Sequence, residues 1–149
     1  MNTNELSYFI RNIQLSELEL EDLIKKYSGI VDWWAISRYQ KLSEKFIEKY
    51  QDKVDWSCIC AHQKLSESFI EKHKDKINWW YISYYQKLSE SFIEKHKDKV
   101  NWDWICGYQK LSPELIIKNI DKITETIFNN VHYEDLPENI KLLLRLKIK

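Results

Sequence analysis

Few side chains in this sequence are placed to do chemistry, and most of those recur at a fixed step. Cys58 and Cys60 are separated by one residue, and Cys106 stands alone. Zinc sites ask for Cys-x-x-Cys or similar spacing with a second pair to match, and no such pair exists here. His73 and His96 lie 23 residues apart. On adjacent packed helices they would be about 8–10 Å apart, too far for one metal ion. A nucleophile needs a base within reach and a group to hold that base. Here the polar residues repeat along the chain, whereas an active site is a single constellation. No Gly-rich phosphate loop, nucleophile elbow or metal-binding helix motif appears. The expectation is no catalytic residue, no metal and no cofactor. What remains is binding chemistry: aromatic rings and lysines arranged in columns.

Composition narrows the classes further. The chain has 149 residues, with 23 Lys+Arg against 23 Asp+Glu. Zero net charge is a poor basis for a dedicated nucleic-acid or membrane-surface binder. Only 2 Gly and 2 Pro are present, which argues against sandwiches, barrels and glycine-loop nucleotide folds. Aromatics are plentiful, with 7 Trp, 9 Tyr and 5 Phe. Three cysteines cannot build a full disulfide framework, which points to a reducing compartment. No apolar run reaches membrane-spanning length and no basic-then-apolar leader opens the chain. A cytoplasmic protein is expected, with no membrane partner.

An internal repeat positions these residues. Gln-Lys-Leu-Ser recurs at Gln40, Gln63, Gln86 and Gln109, a step of 23 residues. Trp33, Trp56, Trp79 and Trp102 keep that step, as do Ile36, Ile59, Ile82 and Ile105. Five registers follow: 17–39, 40–62, 63–85, 86–108 and 109–131. The outer two are degenerate, and Glu125 stands where the last Trp belongs. Terminal units of a solenoid turn one face to water and so depart from the pattern.

Within one unit, Ser43 caps a first helix whose Phe46, Ile47 and Tyr50 form an apolar face. Asp55, with Asn78 and Asn101 in its column, caps a second helix carrying Trp56, Ile59 and Cys60. Each helix is too short to stand alone, so every unit must stack on its neighbours. The predicted fold is all-α: an α-solenoid of about five 23-residue two-helix repeats in a single domain. Residues 1–16 form an N-terminal cap, 17–131 the repeats and 132–149 a C-terminal cap with a helix over 137–147.

The pattern Asp/Asn-Trp-x-x-Ile-Ser/Cys-x-x-Gln-x-Leu-Ser-Glu-x-Phe-Ile-x-x-x-x-Asp-Lys-Val resembles a class of short tryptophan repeats. That class occurs in proteins of phages, large DNA viruses and some low-GC bacteria. The closing Leu136-Pro137-Glu138-Asn139-Ile140-Lys141-Leu142-Leu143 is similar to the usual ending of such proteins. The resemblance covers residues 17–146 and implies a viral or mobile-element origin, with the host cytoplasm as location. It implies no reaction and transfers no functional residue.

Repeats allow columns to be sorted. Uniform columns serve the shared stacking; varied ones are released from it. The Trp33/Trp56/Trp79/Trp102 column is read as core, Leu42/Leu65/Leu88/Leu111 as the joint between units, and the Gln column as an internal polar ladder. Cys60 and Cys106 share a small-residue column with Ser37 and Ser83. His62 shares one with Tyr39, Tyr85 and Tyr108 and is read as a filler. The varied columns lie on the second helix: Trp34/Ser57/Trp80/Asp103, Arg38/Ala61/Tyr84/Gly107 and Ala35/Cys58/Tyr81/Trp104. A face carrying Trp34, Arg38, Trp80, Tyr81, Tyr84, Asp103 and Trp104 has the composition of a protein interface. The competing reading is burial of these rings against a neighbouring repeat. The first helix bears lysine stripes, Lys49/Lys72/Lys95 and Lys53/Lys76/Lys99, beside glutamate stripes. These give the alternative of a nucleic-acid binder, against the simpler reading of a solvated face. The leading expectation is a non-enzymatic module that binds a protein, with a viral effector inhibiting a host protein or defence complex as its context. An enzyme with a site at one end of the stack is the least favoured reading.

Overall fold

The computed structural model describes residues 1–148. Among these residues the secondary structure is entirely helical. The helices are α1 (Thr3–Asn12), α2 (Glu17–Lys26), α3 (Trp33–Tyr39), α4 (Glu44–Lys49), α5 (Trp56–His62) and α6 (Glu67–Lys72). They continue as α7 (Trp79–Tyr85), α8 (Glu90–Lys95), α9 (Trp102–Tyr108), α10 (Pro113–Lys118) and α11 (Glu138–Lys147). Two 3-10 helices, Glu125–Asn129 and Tyr133–Asp135, precede α11. No helix among the described residues is long and apolar enough to cross a membrane. The chain is a helical repeat protein, and the second helix of the last repeat is replaced by the first 3-10 helix.

Side-chain caps open most of the helices. Ser43, Ser66, Ser89 and Ser112 accept from the backbone N–H of Phe46, Phe69, Phe92 and Leu115. Asp32, Asp55 and Asn101 do the same for α3, α5 and α9. Asn2 with Glu5, and Ser16 with Glu19, form reciprocal capping boxes at α1 and α2. Each cap satisfies one of the N–H groups that a helix start leaves without an internal partner. At the other end, Tyr50, His73, His96 and Asn119 close their helices at negative φ. No residue among those described has a positive φ. Left-handed turns, the usual demand for glycine, are therefore absent from these joints, in keeping with the two glycines of the sequence.

The chain divides into two compact units, residues 1–78 and from Trp79 onward. In the first, the second helices lie in a row, α1 beside α3 and α3 beside α5. The N-terminal helix α1 thus takes the place of a preceding second helix. In the second unit α7 packs on α9, and α9 on the first 3-10 helix. The uniform columns Phe46/Phe69/Phe92, Ile47/Ile70/Ile93, Leu42/Leu65/Leu88/Leu111 and Val54/Ile77/Val100 are buried. Trp33, Trp56, Trp79 and Trp102, expected to be core, are only half-buried. Trp56 stacks against Phe69 and meets His73 at a tilt, and its indole N–H donates to the Gln51 carbonyl at 3.0 Å. Trp102 repeats the last contact with Lys97 at 2.8 Å.

A buried glutamine ladder ties repeats together. Gln63 donates to the Ser37 and Gln40 carbonyls and accepts from the Leu42 N–H. Gln40 bonds Ile10, Ile13 and Leu15 in the same way. Gln109 donates to Ser83 and Gln86 and accepts from Leu88. At the degenerate end Asn130 takes over, donating to the Cys106 and Gln109 carbonyls. Each glutamine amide closes the orphan carbonyls of one helix end and a turn N–H in the preceding unit. The small column also joins neighbours. Ser37 Oγ accepts from the Asp55 N–H and Ser83 Oγ from the Asn101 N–H, both at 2.9 Å.

Candidate functional site

The expected binding face lies on the second helices, and the two units furnish it differently. In the N-terminal unit Trp34 is 42% exposed. Arg38, one turn later, lies over its ring at 5.4 Å, and Arg11 from α1 lies over it at 5.3 Å. Tyr39 meets Trp34 edge-on at 5.8 Å. The neighbouring columns in α5 are small: Ser57, the buried Cys58 and Ala61. This cluster is a tryptophan held between two guanidiniums. Arg11 also reaches Asp32 at 3.4 Å. Burial alone would raise the Asp32 carboxyl, but hydrogen bonds from Ser7, the Ala35 N–H and Arg11 hold it below its ordinary value.

In the C-terminal unit the same columns carry rings. Trp80 is 44% exposed and meets Trp104 edge-on at 5.1 Å, stacks on Tyr84 at 6.0 Å and touches Tyr81 at 5.1 Å. Tyr84 meets Trp104 at 4.7 Å and Tyr108 at 4.5 Å. Residues i and i+4 of one helix share a face, and the next helix repeats that face one unit on. The rings of Trp80, Tyr81, Tyr84, Tyr85, Trp104 and Tyr108 therefore form one contiguous aromatic surface on α7 and α9. Tyr81, Tyr84 and Trp104 are half-buried within it, so neither full exposure nor full burial describes them. Asp103 stays exposed at the rim, and its carbonyl accepts from Thr126 Oγ1 at 2.9 Å. The Trp104 indole N–H is buried without an acceptor among the described residues. The Tyr108 hydroxyl raises the Tyr84 phenol above its ordinary value.

His62, read as a filler of its column, is instead exposed, as are Tyr39, Tyr85 and Tyr108 of the same column, and Tyr108 is 57% exposed. A column constant in type looks structural from sequence. Here the shared aromatic sits at the last position of each second helix, outside the stack. Two pockets adjoin these residues. One of about 620 Å³ lies between Tyr84, Tyr85 and Tyr108 and the following turns. A smaller one of about 280 Å³ is lined by Asp103, Trp104, Gly107 and Thr126.

The lysine stripes are not free charge. Lys49 pairs with Glu21 at 2.7 Å, Lys72 with Glu48, and Lys118 with Glu94 at 2.9 Å. Lys76 pairs with Asp52 at 3.2 Å and Lys122 with Asp98 at 3.4 Å. Lys95 also has a partner. Lys99 lies over the Trp79 ring at 5.6 Å and Lys76 over Trp56 at 5.9 Å. Each of these ion-paired lysines reaches back to a carboxylate of the preceding repeat. Local pairing at i,i+3 is realised for Glu71–Lys74 at 3.7 Å and Glu94–Lys97 at 3.6 Å. For Lys72 the partner is Glu48 of the preceding repeat and not Asp75, three residues on. Lys53 has no ion-pair partner among the described residues, since Gly29 stands 24 residues before it. Hydrogen bonds from Asn119 and Lys118 hold the Glu94 carboxyl at about 2.

The thiols are unreactive in this setting. Cys60 and Cys106 are fully buried, and burial pushes the Cys60 thiol up to about 11. Burial together with Asp55 does the same to Cys58. A thiol held neutral is neither a good nucleophile nor a ready metal ligand. Among the described residues no three His, Cys, Asp or Glu side chains are grouped to hold a metal ion. His73 is buried between Trp56 and Phe69, at 5.1 and 4.4 Å, which is a packing position. Comparison of the chain with protein-family models, with curated proteins and with solved structures returns no match.

Proposed function

We propose that this chain is a non-enzymatic helical-repeat module that binds another protein through the aromatic face of its second helices. The observation that carries the reading is the contiguous surface of Trp80, Tyr84, Trp104 and Tyr108, open on α7 and α9. Exposed rings of this density cost solubility unless a partner covers them, and Trp and Tyr dominate the energetic centres of protein interfaces. Trp34 with Arg38 and Arg11 offers a second patch of matching chemistry on the N-terminal unit. The resemblance to phage and viral tryptophan repeats supports a cytoplasmic effector whose partner is a host protein, including a component of a defence complex.

The test is capture from a bacterial lysate with the tagged chain, compared with Trp80→Ala/Tyr84→Ala. The expected result is a protein held by the native chain at moderate salt and lost by the double variant, with unchanged far-UV circular dichroism. Capture that survives the double substitution, or captured material that proves to be nucleic acid, overturns the proposal.

A further inference from the structure

A further lysine column differs from the paired stripes. Lys41, Lys64, Lys87 and Lys110 each stand two residues after the exposed aromatic that ends a second helix: Tyr39, His62, Tyr85 and Tyr108. All four lysines are exposed. Among the described residues none of the four side chains has a hydrogen bond or an ion pair. The contrast with Lys49, Lys72, Lys76, Lys118 and Lys122 is therefore one of position: those reach a carboxylate on the preceding repeat, and these do not.

In the C-terminal unit two successive copies of this Tyr-x-Lys edge open on one concavity. The groove of about 620 Å³ is lined by Tyr84, Tyr85 and Tyr108 together with Lys87 and Lys110. That volume falls within the roughly 300–1,000 Å³ of clefts that hold a drug-sized ligand, a size comparable to a few side chains. Its rings belong to the aromatic surface already described, since Tyr84 meets Tyr85 and Tyr108 at 4.5 Å each. Ring faces are suited to aliphatic and aromatic side chains, and two unpaired ammonium groups beside them are suited to carboxylates. Glu90 also lines the groove, with both oxygens held by the N–H and hydroxyl of Ser112 at 2.5 and 2.8 Å. Its fixed negative charge opposes a continuous polyanion there. One or two carboxylates flanking an apolar anchor fit better than a phosphodiester strand.

We infer that this groove receives an acidic segment of the protein partner, with carboxylates on Lys87 and Lys110 and an apolar side chain against Tyr84, Tyr85 and Tyr108. The inference rests on the protein-binding reading and deepens it by giving the partner's chemistry.

Peptide display against the full chain tests it. Enriched peptides are expected to carry Asp or Glu within a few residues of Leu, Ile, Phe or Trp. A fluorescein-labelled peptide of that kind should lose about tenfold in affinity on Lys87→Glu/Lys110→Glu, and its lysine-substituted counterpart should regain binding to that variant. Both substitutions are on exposed side chains, so circular dichroism should not change. No enrichment, enrichment without acidic bias, or equal affinity for the double variant overturns the inference. Tighter binding of a labelled 12-nucleotide oligo(dT), lost on the same substitutions, overturns it in favour of a nucleic acid. Lysate capture that depends on Trp80 and Tyr84 but not on Lys87 and Lys110 removes the acidic-segment reading alone and leaves the protein-binding proposal standing.

Discussion

The first helices and the second helices of this protein put their polar and aromatic residues to opposite uses. On the first helices and the turns that follow them charge is dense and mostly paired: Lys118 finds Glu94 and Lys122 finds Asp98, each one repeat back. On the second helices charge is sparse and rings are exposed, as at Trp34, Trp80 and Tyr108. Both helices obey the same 23-residue period, so periodicity alone does not tell a binding face from a solvated one. The distinguishing property is whether each group's natural partner is already supplied by the neighbouring repeat. Where it is, the column closes on itself and serves stacking. Where it is not, as for Lys87 and Lys110, the side chain stays exposed with no carboxylate of the described residues in reach.

Both faces stand on the same seam, and breaking that seam produces the largest effect. Ile93 is fully buried. Ile93→Ala should cost about 2–5 kcal/mol through lost burial and the cavity left behind. Gln109→Ala should cost less, about 1–3 kcal/mol, by leaving buried carbonyls of Ser83 and Gln86 without their donor. Urea unfolding of the full chain measures both. An effect of Gln109→Ala within error of zero would show that the ladder is not what joins the repeats, and the division into stacking and free columns would lose its basis.

Much of the fold was legible because the repeat states it several times. The caps Ser43, Ser66, Ser89 and Ser112, the buried Phe and Ile columns and the glutamine ladder follow from period and residue type. Second-helix positions of the site residues were legible too. The exposure of the Tyr39/Tyr85/Tyr108 column was not, because a ring repeated in every unit reads as core unless the outward turn at the helix end is known. The ion pairs were hidden for a similar reason. Sequence spacing reveals Glu71–Lys74 within one turn of chain, but the pairing of Lys72 with Glu48 needs the stacked neighbour. Lys87 and Lys110 stand apart because both line one groove beside the tyrosine rings, a placement that spacing along the chain does not show.

A smaller effect separates the buried edge of the first helices from their solvated face. His73 is buried beside Trp56 and Phe69, and its Nε2 has no partner among the described residues. Burial lowers its pKa; Glu48 and Glu44 oppose that, and Lys72 and Lys76 add to it. The folded state thus resists a proton that the unfolded chain accepts near pH 6.5. The contribution is fully present above that value and is lost as pH falls from there through the lowered folded-state pKa. Thermal melts at about pH 7.5 and about pH 5.5, on either side of the unfolded-state value, should show a larger drop for the native chain than for His73→Tyr, which installs the ring found at Tyr50 of the same column. Equal drops would mean that the His73 environment tolerates the imidazolium, for instance through the flanking rings.

The smallest effect is expected where the structure shows the most ion pairs. In each of the two C-terminal pairs one partner stays largely in water: the Lys118 side chain is 63% exposed and that of Asp98 80%. Such pairs gain little, because water screens the attraction and two long side chains must be ordered to make it. Lys118→Ala/Lys122→Ala should therefore leave the melting temperature within about 2 °C of the native value, and raising the salt from low to moderate concentration should do no more. A drop comparable to that of Gln109→Ala would make the ladder of charges a structural seam in its own right. The lysines of the first helices would then be committed to stacking and withdrawn from any binding surface, whereas the unpaired Lys87 and Lys110 would be untouched by that outcome. The two sets of lysines are thus separable by measurement: removing a pair that joins repeats would register in stability, whereas removing Lys87 and Lys110 is expected to spare stability and, on the proposed function, to register in binding.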